Sequence, residues 1–257
     1  MPEVPATAER FTDRVADYVR FRPRYPYGLI PLLQREIGLT PAWQIADVGS
    51  GTGFSAEPFL QHGNPVTGIE PNPDMRAAAE EFLSEWPAFT SVAGTAEATG
   101  LADRCVDLVV AGQAFHWFDA ERARAEFIRI LRPRGWTVLL WNRRLLDRTP
   151  FLCAYEGLVT TYGTDYQAVR HDRLDGSRID RFYGRSVPRH TMPNVQKLDY
   201  EGLKGRLLSS SYVPATAHPQ HGAMLQALRR LFEEHQQNGT VSFEYETEVY
   251  TGRLAVV

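Results

Sequence analysis

Asp47-Val48-Gly49-Ser50-Gly51-Thr52-Gly53 is the stretch on which the reading of this chain turns. It leaves a short apolar run at 44–48 that reads as a buried strand, and it enters a segment with helical character at 54–62. Glycines in such a turn supply positive φ and let the backbone approach a ligand closely. In an open α/β sheet, ligands bind at the carboxyl ends of the strands. The spacing excludes two familiar phosphate loops. The dinucleotide pattern G-x-G-x-x-G, started at Gly49, meets Phe54 where a glycine is required. Started at Gly51 it reaches Ala56, but then begins two residues late after its strand. A P-loop ends in Gly-Lys-Ser/Thr, and no lysine stands here. What remains is acid-x-Gly-x-Gly-x-Gly, with the acid on the strand.

Outward from this loop the chain alternates. Strands are expected at 65–69, 89–93, 105–110 and 136–141, and helices at 73–84 and 120–131, the last with Asp119 as its N-cap. Strand, helix, strand at this spacing predicts right-handed crossovers and a parallel sheet with helices on both faces. Ahead of it, helices are expected at 6–20 and 27–37. The segment Phe21-Arg22-Pro23-Arg24-Tyr25-Pro26 separates them, because its prolines cannot continue a helix. After 142 the pattern changes. Helices are expected near 150–161, 165–172 and 219–237, and a last strand from Val241 to Val249 returns to the sheet.

Three further loops fall in register with the glycine loop. Glu70 ends the second strand, followed by Pro71, where an acid can accept hydrogen bonds from both hydroxyls of a ribose. Thr95-Ala96-Glu97 follow the third strand. Gln113-Ala114-Phe115-His116-Trp117-Phe118-Asp119 follow the fourth. Four loops on four successive strands resemble the class I S-adenosylmethionine-dependent methyltransferases, over residues 10–142. The resemblance implies S-adenosyl-L-methionine as cofactor. Gly49, Ser50, Gly51 and Gly53 would hold its methionine part, Asp47 would lie near its ammonium, and Glu70 and Pro71 would lie at the ribose. Thr95, Ala96 and Glu97 would flank the adenine. Many relatives carry Asp where this chain has Thr95, whose hydroxyl can still bond the exocyclic amine. Gln113, Trp117 and Tyr25 are further candidates for cofactor contact; for Tyr25 plain core packing is the alternative.

The outer parts resemble the type 11 branch, among small-molecule methyltransferases of the trans-aconitate methyltransferase type. They are Tyr18 to Pro26, the Phe-His-Trp-Phe segment, Trp141-Asn142, Ser209 to Tyr212, and Tyr245-Glu246-Thr247. The implied fold is an α/β, Rossmann-like, doubly wound, mostly parallel seven-stranded sheet with a C-terminal helical cap insertion. Residues 1–142 would be the cofactor-binding core with an N-terminal helical lid. Residues 143–257 would be the substrate cap and terminal strands, the whole forming one integrated domain.

The chain's 257 residues suffice for a full core without staples. Two cysteines, Cys105 and Cys153, exclude a disulfide scaffold and point to the reducing cytoplasm. The first residues lack the basic and apolar regions of a secretory signal, and no apolar run is long enough for a membrane helix. A net charge of −3 disfavours nucleic acid as partner. Of 28 basic residues only Lys197 and Lys204 are lysine, which leaves 26 arginines. Arginine suits bidentate anion recognition, although codon bias produces the same count.

The acceptor is expected to be a small molecule, with a carboxylic acid as one candidate; the alternatives are a methyltransferase acting on RNA or protein, and a cofactor-binding protein without turnover. Neither cysteine stands where carbon-5 pyrimidine methylation needs one. Ala111-Gly112-Gln113-Ala114 stands where amino-methylating nucleic-acid enzymes carry Asn/Asp-Pro-Pro-Tyr/Phe. His116 is a candidate base or pocket wall, or else a satisfied loop histidine. Arg143 or Arg144, with Arg148 nearby, could clamp a carboxylate; the bland reading pairs them with Asp147 and Glu156. No metal site is expected, His218 and His221 lying in a Pro/Gly-rich loop. Tyr155, Tyr162 and Tyr166 read as core or pocket wall.

Overall fold

The computed structural model describes residues 20–164, 166, 176–210 and 212–255. The expected helices over 6–20 and 165–172 lie outside these residues, apart from Arg20 and Tyr166. So do Tyr18, Val19 and Ser211.

In chain order the elements are α1 (Leu29–Ile37), β1 (Ile45–Val48), α2 (Glu57–Gln61), β2 (Val66–Ile69), α3 (Pro73–Phe82), β3 (Phe89–Val92) and β4 (Val106–Gly112). A 3-10 turn at Phe115–Trp117 leads to α4 (Ala120–Ile130) and β5 (Leu131–Arg144). Then come α5 (Pro150–Tyr162), α6 (Gly176–Tyr183), β6 (Arg189–Leu198), α7 (Tyr200–Leu208), α8 (His221–His235) and β7 (Val241–Gly252). The seven strands form one sheet in the order β3-β2-β1-β4-β5-β7-β6, parallel from β3 to β5, with β7 antiparallel to both its neighbours.

Period-2 alternation divides the strand residues between two apolar layers. Val109 and Leu139 face Phe115, Phe127 and Phe182 on one side. Leu108, Val110, Val138 and Leu140 face Leu29, Leu33 and Phe59 on the other. A third cluster belongs to the cap, where Phe151, Leu152, Tyr155, Leu203 and Leu228 close over Phe243 and Tyr245 of β7. Local signals set the ends. Gly38 closes α1 in the left-handed region, with φ 74°. The carboxylate of Asp119 accepts from the N–H groups of Glu121 and Arg122 and so starts α4.

Four expectations change. The helix expected over 54–62 shrinks to Glu57–Gln61, because residues 51–56 complete the glycine turn first. β5 is far longer than 136–141. Leu131 already pairs with Val106, and Arg132–Gly135 then bulge past Asp107 before the register resumes at Leu108↔Trp136. At its other end β5 pairs with β7 as far as Arg144↔Tyr245, so the strand crosses the expected boundary at 142/143. α6, α7 and β6 carried no expectation. β6 contains Pro193, which argues against a central strand but is tolerated at an edge. Finally, the last strand runs on to Gly252. Among the described residues no helix is long and apolar enough to cross a membrane.

Candidate cofactor and acceptor site

The strand order reverses between β1 and β4, and the crevice beyond their carboxyl ends is where an open α/β sheet takes its ligand. Asp47 stands there, fully buried on β1. Ser55 Oγ donates to its Oδ2 at 2.7 Å, while Oδ1 has no hydrogen-bond partner among the described residues. Burial pushes the Asp47 carboxyl up to about 7, with Glu70 adding to the rise and Ser55 opposing it.

Two glycines of the loop have opposite surroundings. Gly53 has φ 88°, and a Cβ there would lie 2.6 Å from Leu83 Cδ1. Gly51 has φ 53°, and a Cβ there would meet nothing within 4 Å. One is a packing glycine, and the other faces open space. The Gly51 N–H donates to Glu70 Oε2 at 3.0 Å, and the Asn72 N–H to Oε1 at 2.9 Å. Burial raises the Glu70 carboxyl; these two N–H groups and the Arg76 guanidinium work against it. Arg76 also donates to the carbonyls of Glu70 and Pro71, both at 2.9 Å.

The outer candidates are arranged around this centre. Thr95 closes a tight turn with Ala98 over a buried Ala96, and the Glu97 carboxylate accepts from the Asp119 N–H at 2.9 Å. Gln113, with φ 55°, accepts from the Asn142 N–H at 2.7 Å and so ties the end of β4 to β5. Tyr25 lies over the end of β4: a Cβ at Gly112 would come within 2.5 Å of its hydroxyl and 2.8 Å of Ser55 Cβ. His116 lies between Trp117 and Trp141, at ring distances of 4.4 and 5.0 Å. Arg178 of α6 fixes that turn by donating to the carbonyls of Phe115, His116 and Phe118.

The three arginines at and after the end of β5 each face an acid of the chain itself. Arg143 pairs with Glu246 and Glu248 of β7 rather than with Asp147. Arg144 pairs with Glu156, and Arg148 approaches Glu244 at 3.7 Å. His218 Nδ1 accepts from the Gln220 N–H, and the His221 ring bonds the Pro214 carbonyl. Ser55, Arg76 and Arg178 carried no expectation; for Ser55 the available signal was a hydroxyl two residues after the last glycine of the loop.

A parallel sheet with this reversal, an acid ending β1, a glycine turn and an acid ending β2 define the class I methyltransferase architecture. Residues 46–139 match the family model described as a methyltransferase domain. An uncharacterised methyltransferase-like protein of Schizosaccharomyces pombe is 33% identical over 156 residues, 60% of this chain and 59% of its own. A malonyl-[acyl-carrier protein] O-methyltransferase of Pectobacterium atrosepticum is 36% identical over 159 residues, 60% of this chain and 55% of its own. The chain thus spans little more than half the length of these curated relatives. A solved type II methyltransferase structure from Anaeromyxobacter dehalogenans superposes with a TM-score of 0.65 at 22% identity, over 92% of this chain and all of that one. It shares the fold.

The cofactor that this fold and the matched methyltransferase domain imply is S-adenosyl-L-methionine, and the residues present fit it. The buried, unpartnered Oδ1 of Asp47 can accept from an ammonium. The open space at Gly51 admits a ligand against backbone. Each Glu70 oxygen has spare lone pairs for a ribose hydroxyl.

Proposed function

We propose that this chain transfers a methyl group from S-adenosylmethionine to a small-molecule acceptor with an anionic group, with a carboxylic acid as the class favoured. The observation that carries the reading is the joint placement of Asp47, Gly51 and Glu70 at the reversal of strand order. When bound, the cofactor supplies an electrophilic methyl carbon on a sulfonium. The chain's own part is positioning, which can supply several kcal/mol of a displacement's barrier. Asp47 holds the amino-acid end, Glu70 the ribose, and the Gln113–Asn142 bond fixes the strand ends beneath the acceptor. His116, Trp117 and Trp141 form an aromatic wall on that side. A carboxylate acceptor needs no base, so in this reading His116 shapes the pocket.

A second reading has one specific support. The Pectobacterium relative is named for O-methylation of a malonyl group on a carrier protein. That name speaks for an oxygen acceptor, and it admits an acceptor presented on a protein.

Glu70→Ala should weaken S-adenosylhomocysteine binding by about tenfold or more, since hydrogen bonds to a charged group are worth ~1.5–3 kcal/mol each. Calorimetry on wild type and variant reads this directly. Unchanged affinity, or tight NAD binding by the wild type, would contradict the site. With a net charge of −3, binding to tRNA at physiological salt should be weaker than about 1 μM. Tighter binding with a steep salt dependence would move the acceptor to nucleic acid. A cytoplasmic location is part of the same proposal; Cys105 and Cys153 are both free thiols.

A further inference from the structure

Two buried arginines of the cap stand out among the described residues. Arg206 of α7 is 5% exposed. It donates through Nε to the Tyr245 hydroxyl at 2.9 Å and through Nη1 to Ser210 Oγ at 3.2 Å, and among the described residues no carboxylate pairs with it. Arg144, at the end of β5, has a side chain that is 9% exposed. Its Nη2 serves Glu156 and the Tyr166 hydroxyl, but its Nη1 has no hydrogen-bond partner among the described residues. Its guanidinium lies 5.4 Å from the centre of the Tyr155 ring, and the buried Tyr155 hydroxyl is likewise unpartnered.

Among the described residues, Arg144 Nη1 and the Tyr155 hydroxyl are thus buried donors without a hydrogen-bond partner, beside a buried Arg206 that no carboxylate pairs with. Burial alone would raise the Tyr212 phenol, yet Arg206, Arg144 and Arg22 outweigh it and lower it. A network serving only the fold closes its buried donors, because leaving them open is costly. This one is open where a ligand can close it.

We propose that Arg206, Arg144 and Tyr155 form a subsite for one carboxylate of the methyl acceptor. A carboxylate matches the guanidinium fork and can accept from the Tyr155 hydroxyl. The subsite is not the end of Arg143, which β7 neutralises. It adjoins the cofactor crevice through residues 22–25. Arg22 donates to the Ser209 carbonyl at 2.8 Å, next to Ser210 of the cluster, while Tyr25 lies over the end of β4 beside Ser55. One short segment, residues 22–25, thus touches both places. The inference rests on the small-molecule reading above, and names where such an acceptor is anchored.

The test is thermal unfolding of the whole chain in sodium succinate, against sodium chloride and sodium phosphate at equal ionic strength, with S-adenosylhomocysteine calorimetry alongside. At ~100 times its Kd, succinate should raise the wild-type midpoint by roughly 5 °C over chloride. Arg206→Met should abolish that rise, Arg206→Lys should restore part of it, and Tyr155→Phe should weaken succinate binding by about tenfold. All three should keep wild-type affinity for S-adenosylhomocysteine. If Arg206→Met does not unfold cooperatively, the Tyr155→Phe result decides. No succinate effect in the wild type, an equal effect in the variants, or an equal rise with phosphate would overturn the proposal. If S-adenosylhomocysteine fails to bind the wild type, the methyltransferase reading falls, while the succinate series still judges the subsite by itself.

Discussion

Asp47→Asn is expected to lower S-adenosylhomocysteine affinity by about a hundredfold and, at pH 8, to raise the thermal midpoint of the ligand-free protein. Both effects come from one buried carboxyl. In the fold it holds its proton up to about 7, against an ordinary value of 3.8. The folded state therefore binds that proton more tightly than the unfolded chain. The stability this gives is fully present below 3.8 and is lost as pH rises through about 7. The gap is worth roughly 4 kcal/mol as an order of magnitude. Asparagine keeps an acceptor for Ser55 Oγ and carries no charge, so it escapes that loss. It also forfeits the pairing with an ammonium, where losing one partner of a buried charge pair costs ~2–5 kcal/mol. Calorimetry from pH 6 to 8.5 separates the terms. Wild-type affinity should climb as Asp47 ionises, and the variant's should stay flat across that carboxyl's range. A variant that binds like wild type at pH 8 would remove Asp47 from the site.

The second large effect distinguishes two glycines of the same loop. Gly53→Ala should destabilise the fold by about 2 kcal/mol or more, because left-handed backbone is unfavourable for alanine and its Cβ would press on Leu83. Gly51→Ala adds a methyl to open space, so it should cost the fold only the backbone term of ~1–2 kcal/mol. Its larger consequence should be loss of S-adenosylhomocysteine binding, since the methyl fills the ligand's approach to the backbone. Denaturation and calorimetry on both variants check this. Equal destabilisation with equal retained affinity would show that Gly51 is a turn glycine and nothing more.

These residues were legible because their signals are local. Asp47, the glycines and Glu70 stand at fixed offsets from strand ends, and the strands announce themselves as apolar runs. Asp119 was legible as a cap for the same reason: the N–H groups it accepts from are two and three residues away. What escaped depends on partners distant in sequence. Arg178 reads as one arginine among many until α6 brings it against the turn at 115–118. Arg206 reads as a helix-surface cation until Tyr245 arrives from β7, 39 residues on. β6 was hidden by Pro193, whose missing N–H matters in the middle of a sheet and not at its edge. Arg143 illustrates the converse: its place at the sheet's ligand edge left a clamp and an internal pair both open, and antiparallel pairing with β7 sets Glu246 opposite it.

The central claim, that the crevice between β1 and β4 binds S-adenosylmethionine through Asp47, Gly51 and Glu70, is tested most directly by a crystal structure grown with S-adenosylhomocysteine. The account predicts density in that crevice, with the ligand's ammonium on Asp47 Oδ1 and its ribose hydroxyls on the Glu70 carboxylate. An empty crevice at saturating ligand, or density bound elsewhere on the molecule, would contradict it.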